Sequence, residues 1–243
     1  MNPAEFRQRV DSTAARYRPL GRVAESFARG KLTGDPFYRA LPDLRLIQER
    51  SRVLDLGCGR GLLGAWLTTV QENGNEAPAA GLVSPTPQLG SYQGIELMPS
   101  DAVCARRVLG HGVDIVTGDM QTAQWGPADV VVMLDVIYFL EPPAQEALLA
   151  RVHHHLGLEG LLLLRVADAS NGLRYGWTLI VDHLVACWRG HGFSRFHCRP
   201  LGDWLLLLER LGFSCELQPM SEGTPFANVL IVARPRFSPD SQA

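Results

Sequence analysis

Apolar runs and helical spacings alternate along most of the chain. Short stretches rich in apolar residues predict β-strands at residues 53–56, 92–97, 114–117, 129–134 and 160–166. Apolar residues at helical spacing lie between them, at residues 62–70, 100–109 and 142–156. Apolar strands that alternate with helices are typical of a parallel sheet that is covered on both faces.

The two ends of the chain add further elements. Residues 1–50 place apolar side chains at helical spacing between the turn signals Arg18-Pro19 and Asp35-Pro36, which predicts a cap of short helices. Apolar stripes also predict helices at residues 172–190 and 201–211. The two closing strands, at residues 214–218 and 228–233, are joined by too short a link for a parallel crossover.

Together these elements predict a Rossmann-like α/β fold with a seven-stranded, mostly parallel sheet and an antiparallel last strand. We expect a helical cap at residues 1–50 and the sheet domain at residues 51–243. Residues 72–91 are rich in Gly, Pro, Asn and Ser and poor in apolar side chains, which predicts an exposed, mobile insertion.

Composition and charge narrow the class of protein. Hydrophobic residues make up 46% of the 243 residues and charged residues 20%, which excludes collagen-like and disordered chains. The net charge is −2 and no basic tract occurs, so we expect no nucleic-acid partner. The longest weakly charged apolar segment, residues 176–188, is too short to span a bilayer, so we expect no integral membrane segment.

Cysteine usage and the start of the chain bear on location. The five cysteines are scattered and form no CxxC pair, which argues against a zinc site. We expect no metal at His153, His154 and His155, because adjacent helical positions point about 100° apart. The first twenty residues lack the apolar stretch of a signal peptide. A reduced, cytoplasmic protein of unknown oligomeric state is therefore expected.

The most informative segment joins the first strand of the sheet to the helix that follows. Its sequence, DLGCGRG, places Gly57, Gly59 and Gly61 at alternate positions after Asp55. Glycine tolerates positive φ and lets the backbone approach a ligand closely. The carboxylate of Asp55 can attract a cationic group, whereas it would repel a pyrophosphate.

A second interpretation of these glycines stays open. Gly59, Gly61 and Gly64 also match GxGxxG, the fingerprint of dinucleotide-binding folds. An NAD-dependent oxidoreductase is therefore an alternative. Against it, the acidic ribose ligand should follow after about 20 residues, and the next strand-end acid is the more distant Glu96.

Two further acids end the next strands. Glu96 ends the second strand, where its carboxylate can accept two hydrogen bonds from a ribose diol. Asp119 and Met120 close the third strand, where the carboxylate can accept an adenine amino proton and the Met120 N–H can reach a ring nitrogen. Open α/β sheets bind ligands at the carboxyl ends of their strands. The acids therefore predict a nucleoside site at that edge.

Over residues 52–234 these motifs resemble the class I S-adenosylmethionine-dependent methyltransferases. DLGCGRG is similar to the cofactor loop of that family, and DVVVMLDVIYFL, residues 129–140, is similar to its fourth-strand motif. The resemblance implies S-adenosylmethionine as cofactor and S-adenosylhomocysteine as product. It also implies the following cofactor-binding residues: Asp55, Gly57, Cys58, Gly59, Gly61, Glu96, Leu97, Asp119, Met120 and Asp135.

The acceptor is expected to be a small aromatic molecule, in particular a phenol, which attacks the methyl group in line. Residues 17–38 and two later segments also resemble bacterial small-molecule methyltransferases of aryl-polyene or xanthomonadin-type pathways. His197 is the first candidate for a general base, with Asp135 and Tyr138 orienting the acceptor. Acceptor-binding residues are predicted to be Tyr17, Phe37, Tyr138, Arg165 and Tyr175. A non-catalytic scaffold that retains the cofactor pocket is the alternative from another class.

Overall fold

The computed structural model describes residues 1–75, 89–169, 196–221, 223–224 and 227–236. The chain divides into two compact units, Met1–Ala128 and Asp129–Ala243. Each unit is described by itself. The predicted boundary between residues 50 and 51 stays a prediction.

The first unit consists of four helical segments, then strands and helices in alternation. In chain order its elements are α1 (Pro3–Ala15), a 3-10 turn (Arg18–Leu20), α2 (Arg22–Gly34), α3 (Pro36–Leu44), β1 (Arg52–Leu56), α4 (Leu62–Asn75), β2 (Ser91–Glu96), α5 (Pro99–Leu109) and β3 (Asp114–Thr117). β1 pairs in parallel with β2, and β2 pairs in parallel with β3. The pairing brings the carboxyl ends of all three strands to one edge.

Side-chain caps explain where the first helices begin. The carboxamide oxygen of Asn2 accepts a hydrogen bond from the Glu5 N–H at 2.9 Å, ahead of the proline that starts α1. Asp35 ends α2 and caps α3, because its carboxylate accepts from the Phe37 N–H at 3.0 Å. Such caps satisfy backbone donors that the helix itself leaves without a partner. The Asp35-Pro36 turn signal is therefore the junction of two helices.

The second unit contains four strands and two helices among its described residues. Its elements are β4 (Val130–Leu134), a 3-10 turn (Ile137–Phe139), α6 (Pro142–His155), β5 (Leu161–Ala167), α7 (Leu201–Arg210), β6 (Phe213–Pro219) and β7 (Asn228–Pro235). β4 and β5 are parallel, whereas β7 runs antiparallel to both β5 and β6. All seven residues of β5 are buried, as its run of four leucines predicts for a central strand.

The predicted fold class is confirmed. The strand order is β3-β2-β1-β4-β5-β7-β6, which is a seven-stranded, mostly parallel sheet with a reversed strand near its end. In the part of the chain that the structure describes, no helix is long and apolar enough to cross a membrane.

The predicted insertion at residues 72–91 is corrected at both ends. α4 continues to Asn75, five residues beyond the last apolar position, because the backbone hydrogen bonds of a helix can extend over polar residues. Ser91 belongs to β2, where it pairs with Arg52. The rest of the insertion, residues 76–88, and the predicted helix at residues 172–190 lie outside the described residues.

Candidate functional site

The loop between β1 and α4 has the backbone conformation that its glycines predict. Gly57, Gly59 and Gly61 have φ values of 79°, 55° and 76°, in the left-handed region that favours glycine. The N–H groups of Gly57 and Cys58 both donate to the Ile95 carbonyl, at 2.9 and 3.1 Å. These bonds fold the loop against the end of β2.

The third glycine of the loop also allows close packing. A Cβ at Gly61 would lie 3.0 Å from Leu109 Cδ1 and 3.2 Å from Ala105 Cβ, both on α5. Cys58 is buried, and its Sγ would lie 2.7 Å from a Cβ at Gly94. Burial and the nearby Asp55 and Glu96 raise the pKa of the Cys58 thiol, so this side chain fills space beneath the loop as a neutral group.

Glu96 ties the glycine loop to the start of α5. Its Oε2 accepts from the Gly59 N–H and its Oε1 accepts from the Met98 N–H, both at 2.8 Å. An ionised carboxylate offers about four acceptor positions, so two remain for a ligand. The buried side chain is thus held in one orientation with acceptor capacity to spare, as binding of a ribose diol requires.

The ends of β2 and β3 lie next to each other. The Gly118 N–H donates to the Glu96 carbonyl at 2.9 Å. The Asp119 carboxylate accepts from the Gln121 N–H at 2.8 Å, which fixes the turn after β3. Met120 is buried, whereas Leu97 is 60% exposed directly after Glu96. An exposed leucine directly after Glu96 offers an apolar face to a ligand at this edge of the sheet.

Asp55 is buried at the end of β1 and accepts a hydrogen bond from the Tyr92 hydroxyl at 2.6 Å. Burial raises the pKa of Asp55 to about 7, the Tyr92 hydrogen bond acts in the opposite direction, and the charge of Glu96 adds to the increase. A positive charge on a bound ligand would favour the ionised form of such a group. The geometry is compatible with the predicted attraction of a cation.

Two predicted acceptor-binding residues are buried within the first unit. The Tyr17 hydroxyl donates to the Arg60 carbonyl of the glycine loop at 3.0 Å, and burial raises the pKa of this phenol. Phe37 is buried and packs edge-on against Tyr38, with ring centroids 5.5 Å apart. Contact of either residue with an acceptor stays a prediction.

In the second unit, Asp135 and Arg165 form a two-point ion pair. Arg165 Nε donates to Asp135 Oδ1 at 2.8 Å, and a second guanidinium nitrogen donates to Oδ2. Arg165 is buried in β5, and Asp135 takes a left-handed conformation with φ of 56° directly after β4. Asp168, directly after β5, accepts from the Leu201 N–H at the start of α7 at 3.1 Å.

Tyr138 and His197 are brought together. The His197 N–H donates to the Tyr138 carbonyl at 2.8 Å. Tyr138 is buried, and its ring lies in an aromatic cluster with Phe139 and Phe196, whose centroids are 5.3 and 5.4 Å away. Sequence reasoning missed both phenylalanines, although each adjoins a residue that it singled out. The last predicted acceptor residue, Tyr175, lies outside the described residues.

Comparisons with known proteins identify the family. The family described as "Methyltransferase domain" matches residues 34–218, well over half of the chain. The carboxy-S-adenosyl-L-methionine synthase of Chromohalobacter salexigens is 29% identical over 184 residues, which cover 68% of this chain. The match spans 61% of the length of that relative.

Solved structures share the fold at low identity. A TehB-like S-adenosylmethionine-dependent methyltransferase from Corynebacterium glutamicum has a TM-score of 0.55 at 19% identity, covering 97% of this chain and 100% of its own. Human N-acetylserotonin methyltransferase, solved with S-adenosylmethionine, has a TM-score of 0.60 at 17% identity, covering 97% and 61%. An O-methyltransferase from neocarzinostatin biosynthesis, solved with S-adenosylmethionine and 2-hydroxy-5-methyl naphthoic acid, has a TM-score of 0.57 at 17% identity, covering 90% and 58%.

These matches confirm the predicted enzyme family and its cofactor, S-adenosylmethionine. They favour the methyltransferase interpretation of the glycine loop over the dinucleotide fingerprint. The family match and the glycine loop fixed by Glu96 support the same conclusion. The chain belongs to the class I S-adenosylmethionine-dependent methyltransferases.

Proposed function

We propose that this protein transfers the methyl group of S-adenosylmethionine to a small aromatic acceptor with a phenolic hydroxyl, releasing S-adenosylhomocysteine. The observation that carries the acceptor class is the aromatic cluster of Tyr138, Phe139 and Phe196 beside His197. Flat aromatic faces favour aromatic ligands. The solved complex with a hydroxynaphthoic acid supports the same class by analogy. The narrower resemblance to aryl-polyene or xanthomonadin-type enzymes remains a proposal.

The first unit supplies the groups that fit the cofactor. The spare acceptor positions of Glu96 suit the two ribose hydroxyls, and we assign Asp119 and Met120, which follow β3, to the adenine edge. The glycine loop lets the backbone approach the methionine part, and the carboxylate of Asp55 favours its positive charges. When bound, the cofactor supplies a methyl group on a positively charged sulfur, which is ready for in-line attack.

The second unit supplies the groups proposed for the acceptor. A free phenol has a pKa near 10, so at neutral pH it reacts faster if a base removes its proton. We assign that role to the His197 imidazole. Tyr138 and the Asp135–Arg165 pair orient the acceptor, because their positions are fixed by backbone and ion-pair contacts.

The test is methyl turnover with simple phenols and naphthols by the wild type and His197→Ala. We expect the variant to lose about a hundredfold in turnover and the acidic limb of its pH–rate profile, with unchanged affinity for S-adenosylhomocysteine. His111→Ala, at an exposed turn in the first unit, is the control. Full activity of His197→Ala at every pH would remove the imidazole from the mechanism.

A separate assay addresses the non-catalytic alternative. A scaffold protein would bind S-adenosylmethionine and gain thermal stability from it, yet give no turnover with any phenol, amine or carbon acceptor. NAD should give no thermal stabilisation in either case. Whether the acceptor atom is oxygen, carbon or nitrogen follows from the NMR chemical shift of the new methyl group in the product.

A further inference from the structure

The buried face of α6 contains one polar side chain. Gln145, Leu148, Leu149 and Val152 follow the i, i+3, i+4, i+7 spacing of a core-facing stripe, and all four are buried. A buried amide costs free energy unless it is hydrogen-bonded. Gln145 is fully buried, so its partners show why an amide occupies a position suited to leucine.

The Gln145 amide joins three parts of the second unit. Its Nε2 donates to the His197 carbonyl at 2.8 Å and to the Leu140 carbonyl at 3.0 Å, with a longer contact of 3.4 Å to the Ile137 carbonyl. Its Oε1 accepts from Arg199 Nε at 2.7 Å. One side chain therefore connects α6, the 3-10 turn that carries Tyr138, and the segment that carries His197.

Arg199 reinforces the same connection. Its guanidinium donates to the Pro142 carbonyl at 3.1 Å and lies over the Trp204 ring, 5.4 Å from the centroid. The backbone of His197 is thus fixed at both ends, since its N–H donates to Tyr138 and its carbonyl accepts from Gln145. With the backbone fixed, the position of the imidazole depends on only its two side-chain torsions.

We propose that Gln145 is a positioning residue for His197: its buried amide fixes the histidine backbone relative to Tyr138 and so sets where the imidazole stands. The proposal rests on the proposed function, in which His197 is the base. A general base must lie within hydrogen-bond reach of the proton that it removes. A displacement of about 1 Å can cost up to a hundredfold in rate.

The experiment compares Gln145→Met, which keeps the length of the side chain and removes its hydrogen bonds, with Gln145→Glu, which keeps an oxygen for Arg199. Gln93→Met is the control, because the Gln93 amide also joins two distant positions, the Asp114 carboxylate and the Gly126 N–H, but lies in the first unit. We expect Gln145→Met to lose about tenfold to a hundredfold in kcat, with unchanged affinity for S-adenosylhomocysteine. Gln145→Glu should lose at least as much, because its carboxylate cannot donate to the His197 carbonyl. Gln93→Met should lose stability without a matching loss of kcat.

Two readouts separate positioning from general destabilisation. In the double variant with His197→Ala, Gln145→Met should cause no further loss of turnover, because the two residues act through one imidazole. The His197 ring resonances in NMR spectra should shift in Gln145→Met and remain in place in Gln93→Met. Full additivity in turnover, or unshifted ring resonances, would overturn the proposal.

The NMR readout also distinguishes failure of the proposal from failure of the proposed function. If His197→Ala keeps full activity while the ring resonances shift in Gln145→Met, then Gln145 positions a histidine that is not the base. The positioning role in catalysis is overturned in that case. If His197→Ala loses activity and the resonances do not shift, the base assignment holds and the role of Gln145 fails alone.

Discussion

Substitution of Glu96 by glutamine is the sharpest test of the cofactor site. The side chain keeps its length, but one of its two acceptor oxygens becomes an NH2 group. In the wild type both oxygens accept backbone N–H groups at 2.8 Å, from Gly59 and from Met98. In Glu96→Gln, one of these partly buried donors therefore loses its acceptor and faces another donor.

The magnitude follows from the contacts. A hydrogen bond to a charged group contributes about 1.5 to 3 kcal/mol. The substitution removes one such bond, and the second bond is then made to a neutral amide oxygen. We expect the free energy of unfolding to fall by about 2 to 3 kcal/mol. Hydrogen bonds to the ribose weaken for the same reason, which corresponds to a tenfold to hundredfold, or about 1.4 to 3 kcal/mol, loss of cofactor affinity.

The assay combines urea unfolding with calorimetric titration of S-adenosylhomocysteine. Glu159→Gln removes one negative charge at an exposed turn before β5 and serves as the control, with affinity and stability near wild type. Affinity within twofold of wild type in Glu96→Gln, in a folded protein, would refute the assignment of Glu96 to the ribose.

Two further predictions concern the same loop. The pKa of Asp55 is about 7 in the folded protein against an ordinary value of 3.8, so the folded protein retains a proton that the unfolded chain releases. The free energy of unfolding should therefore fall as pH rises from about 4 to about 7. Urea unfolding at pH 5 and pH 8 should show a drop on the order of a few kcal/mol that Asp55→Asn abolishes, and an equal drop in the variant would contradict this prediction. Gly61→Ala adds a Cβ at φ of 76° and 3.0 Å from Leu109, so thermal unfolding should show a loss of about 1 to 3 kcal/mol in the free energy of unfolding. Gly202→Ala, in open space on α7, should be neutral or slightly stabilising. Equal stability of the two variants would exclude strain in the loop.

The features that sequence predicts well are local in the chain. Residues 52–67 contain an apolar strand, then three alternating glycines, then an apolar helix. Each of these patterns is typical of one kind of local structure. The reversed final strand is predictable for the same reason, since a short link leaves no room for a parallel crossover. The first of these features gives the cofactor loop its backbone conformation, and the second gives the sheet its reversed strand.

The features that sequence misses depend on contacts between distant positions. Gln145 shares a hydrogen bond with His197, 52 residues later, and nothing in the order of residues shows that pairing. A signal was nevertheless present, because a glutamine on the apolar stripe of α6 requires buried partners. The end of α4 was missed for a different reason: polar residues can extend an exposed helix, and apolar spacing does not report them.

The position of Arg165 has a consequence for the chemistry of Asp135. The register of β4 and β5 places Arg165 opposite Leu134, so the guanidinium stands beside the residue that follows β4. Asp135 reaches it in a left-handed conformation that costs a non-glycine residue of order 1 kcal/mol or more, which a two-point ion pair can offset. Any ligand group at Asp135 therefore meets a carboxylate that already accepts two hydrogen bonds from Arg165. A carboxylate with free acceptor positions can still take a hydrogen bond from an acceptor and orient it, which is compatible with the proposal that His197 removes the phenolic proton.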